Sequence, residues 1–434
     1  VWRIETWRVV GDMERVGGGR CPRRLGACGA LALLCAGLMT SCTGPAPREA
    51  ATDGVEGGLI QVTSGETIYV RRAGHGPAPV ILLAGNNCSG GAFDALLHHV
   101  AGDKNLREKY SFFAFDYRGS GKSSYHRPIE TLEDFANDFA DVVSSDPLLR
   151  NGGITLVGHS MGFGVAQCMV ALDPSRYSGV VSLAGIGTRG VRVIFAGSAV
   201  GTDPESGKGY VLGDWADSIR AIAFQQRSWT GEMRTPETVA VMWNLIVFND
   251  ILKFDPLNMK VGDSAYLRDP GYEDALDDVM TTAYMPESLY ASHFFNSTAE
   301  TIEHENSDGT TVAIPGSDRL AAFRGLRVLL VKAETDRLRW RGDLVIADSI
   351  TQNTKYDLHR AGARVTAVML KPGMGYDHGF PIHHPKETLQ LITTFAESTA
   401  ELGAAQVESI VGRGFVTVYA DGERDWEREA FGGF

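Results

Sequence analysis

Gly158-His159-Ser160-Met161-Gly162 fits the pattern G-x-S-x-G, directly after the apolar run 154–157 and directly before a helical pattern. A chain that leaves a strand and enters a helix this abruptly needs small residues on both sides of the serine. Such a turn projects the Ser160 hydroxyl at the carboxyl edge of a sheet, at the positive end of the following helix. A serine hydroxyl needs a base to take its proton, and the base needs a carboxylate to orient it. Two rival chemistries fall away. The stretch Asp116-Tyr117-Arg118-Gly119-Ser120-Gly121-Lys122-Ser123 ends like a P-loop, but that motif needs glycine where Asp116 stands and a helix directly after Lys122-Ser123. His378, His383 and His384 lie within seven residues, yet no H-E-x-x-H and no suitably spaced cysteine pair accompanies them, so no metal is expected.

The chain of 434 residues is 44% hydrophobic and 22% charged, too apolar for a disordered protein and long enough to bury a full core. Its 41 Lys and Arg against 53 Asp and Glu give a net charge of −12, which argues against nucleic acid as a partner. There is no heptad run and no repeat, which excludes coiled coils and solenoids. After a Gly/Pro/Ala linker at 43–58, residues 59–63 and 67–72 read as a hairpin. Near-continuous apolar runs follow at 79–84, 111–116, 154–158, 179–184, 326–332 and 364–370, as expected of strands buried on both faces of a parallel sheet. Helical patterns at 132–144, 161–172, 344–359 and 385–400 alternate with them, which implies a doubly wound α/β sheet of eight strands, mostly parallel. Residues 188–323 interrupt the rhythm with many helix formers and no comparable strand. The tail 401–434 is weakly patterned, with one candidate strand at 415–419.

With the strand–G-x-S-x-G–helix unit and the D-x-R-G-x-G-x-S turn at 116–123, the sequence resembles the α/β-hydrolase superfamily over residues 59–187 and 324–400. The resemblance implies an α/β-hydrolase fold with 188–323 as an inserted helical cap. It implies an order of serine, acid after the seventh strand and histidine after the eighth. The turn Lys332-Ala333-Glu334-Thr335-Asp336 then points to Asp336 as the acid, with Glu334 the near competitor, and the Gly-rich loop after the eighth strand points to His378 as the base. His383 and His384 read as surface or substrate-entrance residues. The oxyanion hole would use the backbone N–H of Met161 and that of Asn86, in the turn after the third strand. No cofactor is required.

Residues 25–40 are uncharged and rich in Leu and Ala, behind Arg20, Arg23 and Arg24, as in a secretory signal. The run is shorter than the ~20 residues of a membrane span. Its close on Met39-Thr40-Ser41-Cys42 resembles the lipobox of bacterial lipoproteins, which implies that residues 1–42 are a signal and that Cys42 carries a lipid. The alternative is a plain signal peptide cut near Ala46. Residues 1–12 read as an over-extended start, because Glu5, Asp12 and Glu14 are out of place before a signal and Met13 gives a more ordinary beginning. Of the remaining cysteines, Cys88 and Cys168 could pair, but Cys168 on a helix reads as a small core residue.

The expected protein is an exported serine hydrolase, anchored to the membrane by its N-terminal lipid, that cleaves a small carboxylic ester. Cap aromatics, from Trp215 and Phe224 to Phe294 and Phe295, mostly pack the cap, and a few would line an apolar acyl or aryl pocket. The acidic run Asp269, Glu273, Asp274, Asp277 and Asp278 reads as a solvated helix face, or as a holder of a substrate amino group in an aminopeptidase-like alternative. Acyl transfer, cofactor-free peroxidation and a non-catalytic binding role remain open on the same fold.

Overall fold

The computed structural model describes residues 54–86, 88–190, 254–255, 260–261, 288, 291–292, 295–305, 311–333, 344–370, 376, 378–412 and 416–418. Nine strands form one sheet: β1 (Val55–Gln61), β2 (Thr67–Ala73), β3 (Ala78–Leu83), β4 (Tyr110–Phe115), β5 (Ile154–His159), β6 (Tyr177–Leu183), β7 (Arg327–Ala333), β8 (Arg364–Leu370) and β9 (Val416–Val418). Their order is β1-β2-β4-β3-β5-β6-β7-β8-β9. The six strands from β4 through β8 in that order run parallel, and the pairs at the two ends, β1–β2–β4 and β8–β9, are antiparallel.

Every residue of β4, β5 and β7 is buried, so helices must cover both faces, which is why these strands read as unbroken apolar runs. On one side α3 (Met161–Leu172) packs on α2 (Leu132–Ser145) and on the turn at 319–323; elsewhere α5 (Pro385–Glu397) packs on α1 (Asp94–Gly102) and α6 (Ala404–Val411), while α4 (Leu344–Arg360) lies on β7 and β8. Helix α2 is amphipathic: Phe135, Phe139 and Val142 are buried, and Asp134 accepts the N–H groups of Glu130 and Thr131 to close its first turn. Helix α3 is buried from Met161 through Val170, as befits a helix in the middle of the core that begins at the candidate nucleophile.

Three boundaries differ from the sequence reading. Strand β1 begins at Val55, inside the segment read as linker, because an exposed edge strand containing Glu56, Gly57 and Gly58 leaves no apolar run. The tail is integrated: α6 contributes Val407 and Val411 to the core, and β9 extends the sheet to nine strands. Within 188–323 the structure contains two short antiparallel ribbons, Phe254–Asp255 with Lys260–Val261 and Ile302–Glu305 with Thr311–Ile314. Strands this short, rich in charged residues, carry no run to read. Of the aromatics read as cap residues, all but Phe254 and Phe295 lie outside the described residues, as do the acidic run, Cys42 and the segment read as a signal. No helix among the described residues is long and apolar enough to cross a membrane.

Candidate active site

Ser160 stands between β5 and α3 with φ 52° and ψ −120°, a conformation uncommon for a residue with a side chain. The backbone around it over-determines this geometry. Ser160 N–H donates to Leu183 O at 3.0 Å, while Ser160 O accepts from Phe163 N at 3.1 Å and Ile186 N at 3.0 Å. Glycine is required on either side because of close approach: a Cβ on Gly158 would run into the Phe163 backbone, and one on Gly162 into the carbonyls of Leu83 and Ala84. The small residues that flag the motif are therefore the ones that let α3 begin against β3.

His378 follows β8 in a turn and is buried, with Nε2 3.0 Å from Ser160 Oγ. For that nitrogen to accept the serine proton, the neutral ring must carry its own proton on Nδ1. A carboxylate facing Nδ1 would hold this tautomer. Both sequence candidates for it, Asp336 and Glu334, lie just past Ala333, where β7 ends, and outside the described residues.

The turn after β3 supplies Asn86, which is buried. Gly85 sits against the nucleophile, its Cβ direction 3.0 Å from Ser160 Cβ. Among the described residues, no backbone carbonyl takes the N–H of Asn86 or of Met161. Met161 is the first residue of α3 and has no partner inside its helix. Among the described residues these two backbone donors, one directly after Ser160 and one directly after Gly85, thus have no partner of their own, as an anionic oxygen would require.

The 116–123 turn serves this site indirectly. Tyr117 Oη donates to Ala84 O at 2.7 Å and Asp116 Oδ1 accepts Gly90 N at 2.9 Å, so the turn grips both ends of the segment that carries Asn86. Asp116 is itself neutralised by Arg71, which also meets Asp94 at 3.1 Å; all three are buried. Burial holds the Asp116 carboxyl above its ordinary value, against the opposing pull of Arg71 and the N–H groups of Lys122 and Gly90. From the 188–323 interval, buried Ser288 donates to Asn86 Oδ1. Neither Arg71, Asp94 nor Ser288 announces itself in the sequence, since each acts through a partner distant in the chain.

His383 is buried, with its ring against Gly379, so it is not a surface histidine, while His384 is half-buried beside Tyr376. The chain turns into a short helix at Phe380–His383, which carries His383 into the interior. Cys88 and Cys168 are buried thiols, not joined in a disulfide; burial pushes Cys88 up to about 12 and Cys168 higher still, which disfavours the thiolate at both.

Sheet order, elbow and turn together define an α/β-hydrolase fold. A family described as alpha/beta hydrolase fold matches residues 78–228, the segment that holds the Asn86 turn and the elbow. No curated protein matches the chain. Among solved structures, it is similar to the esterase EaEST from Exiguobacterium antarcticum, at 19% identity over 79% of this chain and 100% of that one, with a TM-score of 0.47. A bromoperoxidase from Bacillus anthracis is similar at 16% identity over 79% and 100%, with a TM-score of 0.48. A thermophilic esterase from Thermogutta terrifontis is similar at 18% over 78% and 97%, with a TM-score of 0.47.

Proposed function

We propose that the protein is a serine hydrolase that cleaves a small carboxylic ester. The observation that carries the reading is the 3.0 Å approach of His378 Nε2 to Ser160 Oγ, at an elbow flanked by two unpartnered backbone N–H groups. In this reading Ser160 Oγ bonds to the ester carbonyl carbon while its proton passes to His378 Nε2. The carbonyl oxygen, now an anion, is held by Met161 and Asn86 N–H. The tetrahedral species collapses, the ester C–O bond breaks, and the leaving alkoxide takes the proton from Nε2. Water then repeats the sequence on the acyl-enzyme, releasing the acid and restoring Ser160. Asp336 orients His378 on Nδ1 throughout, and residues 188–323 shape an apolar acyl or aryl site above the sheet edge.

A fluorophosphonate probe should label Ser160, and Ser160→Ala should abolish labelling and turnover with an unchanged circular dichroism spectrum. Labelling that persists in that variant would refute the assignment. Losing the orienting carboxylate costs about 10⁴ in kcat in a comparable triad, so Asp336→Asn should be far worse than Glu334→Gln. p-Nitrophenyl esters of graded chain length should outrun aminoacyl anilides; the reverse would replace the esterase by a peptidase. We also propose that the protein is exported and anchored through a lipid on Cys42. Protein from its native host should then enter the detergent phase, and Cys42→Ala should not.

A further inference from the structure

The geometry points to His159, the residue directly before the nucleophile, as the positioning residue that sets where the base stands. The inference rests on the reading of Ser160 and His378 as nucleophile and base. His159 Nε2 lies 2.8 Å from the backbone carbonyl oxygen of His378. A carbonyl only accepts, so Nε2 carries a proton and donates it. The two imidazoles are 5.1 Å apart between centroids, and both residues are buried. On its other side the His159 ring meets Gly85, whose Cβ direction points to Nδ1 at 3.1 Å and Cε1 at 3.3 Å. One side chain therefore touches the oxyanion turn and the base loop, and its backbone is bonded to the nucleophile.

The base needs this help because of where it sits. Ser160 is held by three backbone hydrogen bonds at the sheet edge, whereas His378 belongs to a turn beyond the end of β8. Anchoring the His378 carbonyl to the residue next to Ser160 makes the Oγ–Nε2 separation a property of one local unit. It does not depend on the fit of two loops 218 residues apart. Without the donor, the His378 carbonyl loses this hydrogen bond, and its turn loses its tie to the residue beside Ser160. A displacement of that kind acts on the proton-transfer step and not on substrate affinity.

The test compares His159→Leu, which removes the donor, with His159→Gln, whose amide nitrogen reaches about as far as Nε2. A shift of about 1 Å costs about 100-fold in rate. His159→Leu should accordingly lose about that factor in kcat and in the rate of fluorophosphonate labelling of Ser160, with KM held within about twofold. His159→Gln should recover most of the loss, and thermal midpoints would be recorded for both. If His159→Leu fails to fold, His159→Asn replaces it: its amide is one carbon too short to reach, so it should be impaired where His159→Gln is not. A folded His159→Leu that is labelled at the wild-type rate would overturn the inference and leave the hydrolase reading standing. A His159→Gln no better than His159→Leu or His159→Asn would do the same. Wild-type protein that is not labelled at all would overturn both.

Discussion

Two glycine-containing turns meet at the candidate site, and they are held by opposite means. The nucleophile turn at 158–162 is fixed by its backbone: strand and helix carbonyls and N–H groups close around Ser160, and no charged side chain takes part in those bonds. The turn at 116–124 is fixed by charge. Arg71 bridges Asp116 and Asp94, Arg118 forks onto Asp138 at 2.6 and 2.7 Å, and the buried carboxylate of Glu66 accepts Ser124 Oγ at 2.6 Å and the N–H groups of His126 and Arg127 at 2.7 Å. In the proposed reading the first turn places a reacting atom beside a helix N-terminus, where an extra charge would disturb the electrostatics of attack. The second does no chemistry in this reading, but orients the segment that does, and charge-assisted hydrogen bonds are strong enough to hold a loop that no strand pairing covers.

If this contrast is right, the first turn should fail through packing and the second through unpaired charge. Gly162→Ala should be the most damaging to activity, because its Cβ would push on the Leu83 and Ala84 carbonyls and displace the nucleophile and both oxyanion donors together. A loss of about 10³ in kcat is expected, similar to removing an oxyanion donor outright. Full activity in that variant would mean that the glycine pattern around Ser160 is incidental.

In the second turn, Arg71→Met leaves two buried carboxylates without their shared cation, and breaking a buried ion pair from one side costs about 3 kcal/mol or more. Urea denaturation should show that loss, with activity falling only as far as Asn86 shifts. The triple variant Arg71→Met, Asp94→Asn, Asp116→Asn should recover part of the stability, because the charges left stranded are gone. A single variant as stable as the wild type would remove charge as the second turn's means of support.

The same contrast explains what could be read from the sequence. The elbow was legible because its constraints are local: a strand, a glycine on each side and a helix all lie within a dozen residues, and burial on both faces writes each parallel strand as an apolar run. His378 and Asn86 were placed by chain order relative to those strands, and the structure brings both to Ser160. Asp336 stood on the same footing. Arg71, Ser288 and His159 could not be assigned roles, since their partners are 45, 202 and 219 residues away and any polar residue at those positions reads as a surface group. Strand β1 and the short ribbons escaped for a different reason: one exposed face, or only two to four residues, gives the hydrophobic pattern nothing to repeat on.

A smaller effect separates the turns by pH. Burial alone would raise the Glu66 carboxyl, but the hydrogen bonds from Ser124, His126 and Arg127 outweigh it and hold the group below its ordinary value of 4.5. A carboxylate lowered on folding contributes stability that is present above its unfolded pKa and lost as pH falls through the folded one. Asp116, which burial holds higher, acts in the opposite sense. Glu66→Gln should therefore cost about 2 kcal/mol at neutral pH and flatten the decline of thermal midpoint below pH 4.5. An equally steep decline in the variant would show that the acid response arises outside this turn.

The smallest expected effect tests whether a third region belongs in the comparison. The segment carrying Asn86 is gripped at Ala84 by Tyr117 and at Gly90 by Asp116, both from the charged turn, and at the Asn86 side chain by Ser288 from the 188–323 interval. Ser288 is fully buried, and its own carbonyl accepts Ser292 Oγ at 2.8 Å. One neutral hydrogen bond contributes about 1 kcal/mol net, which corresponds to about fivefold in rate if all of it bears on the transition state. Ser288→Ala should lower kcat/KM by no more than that and leave the thermal midpoint nearly unchanged, because the two grips from the charged turn remain. Should it instead rival Gly162→Ala, the Asn86 turn would be set chiefly by Ser288, from a part of the chain 202 residues further on, and the charged turn would be reduced to a support for the fold.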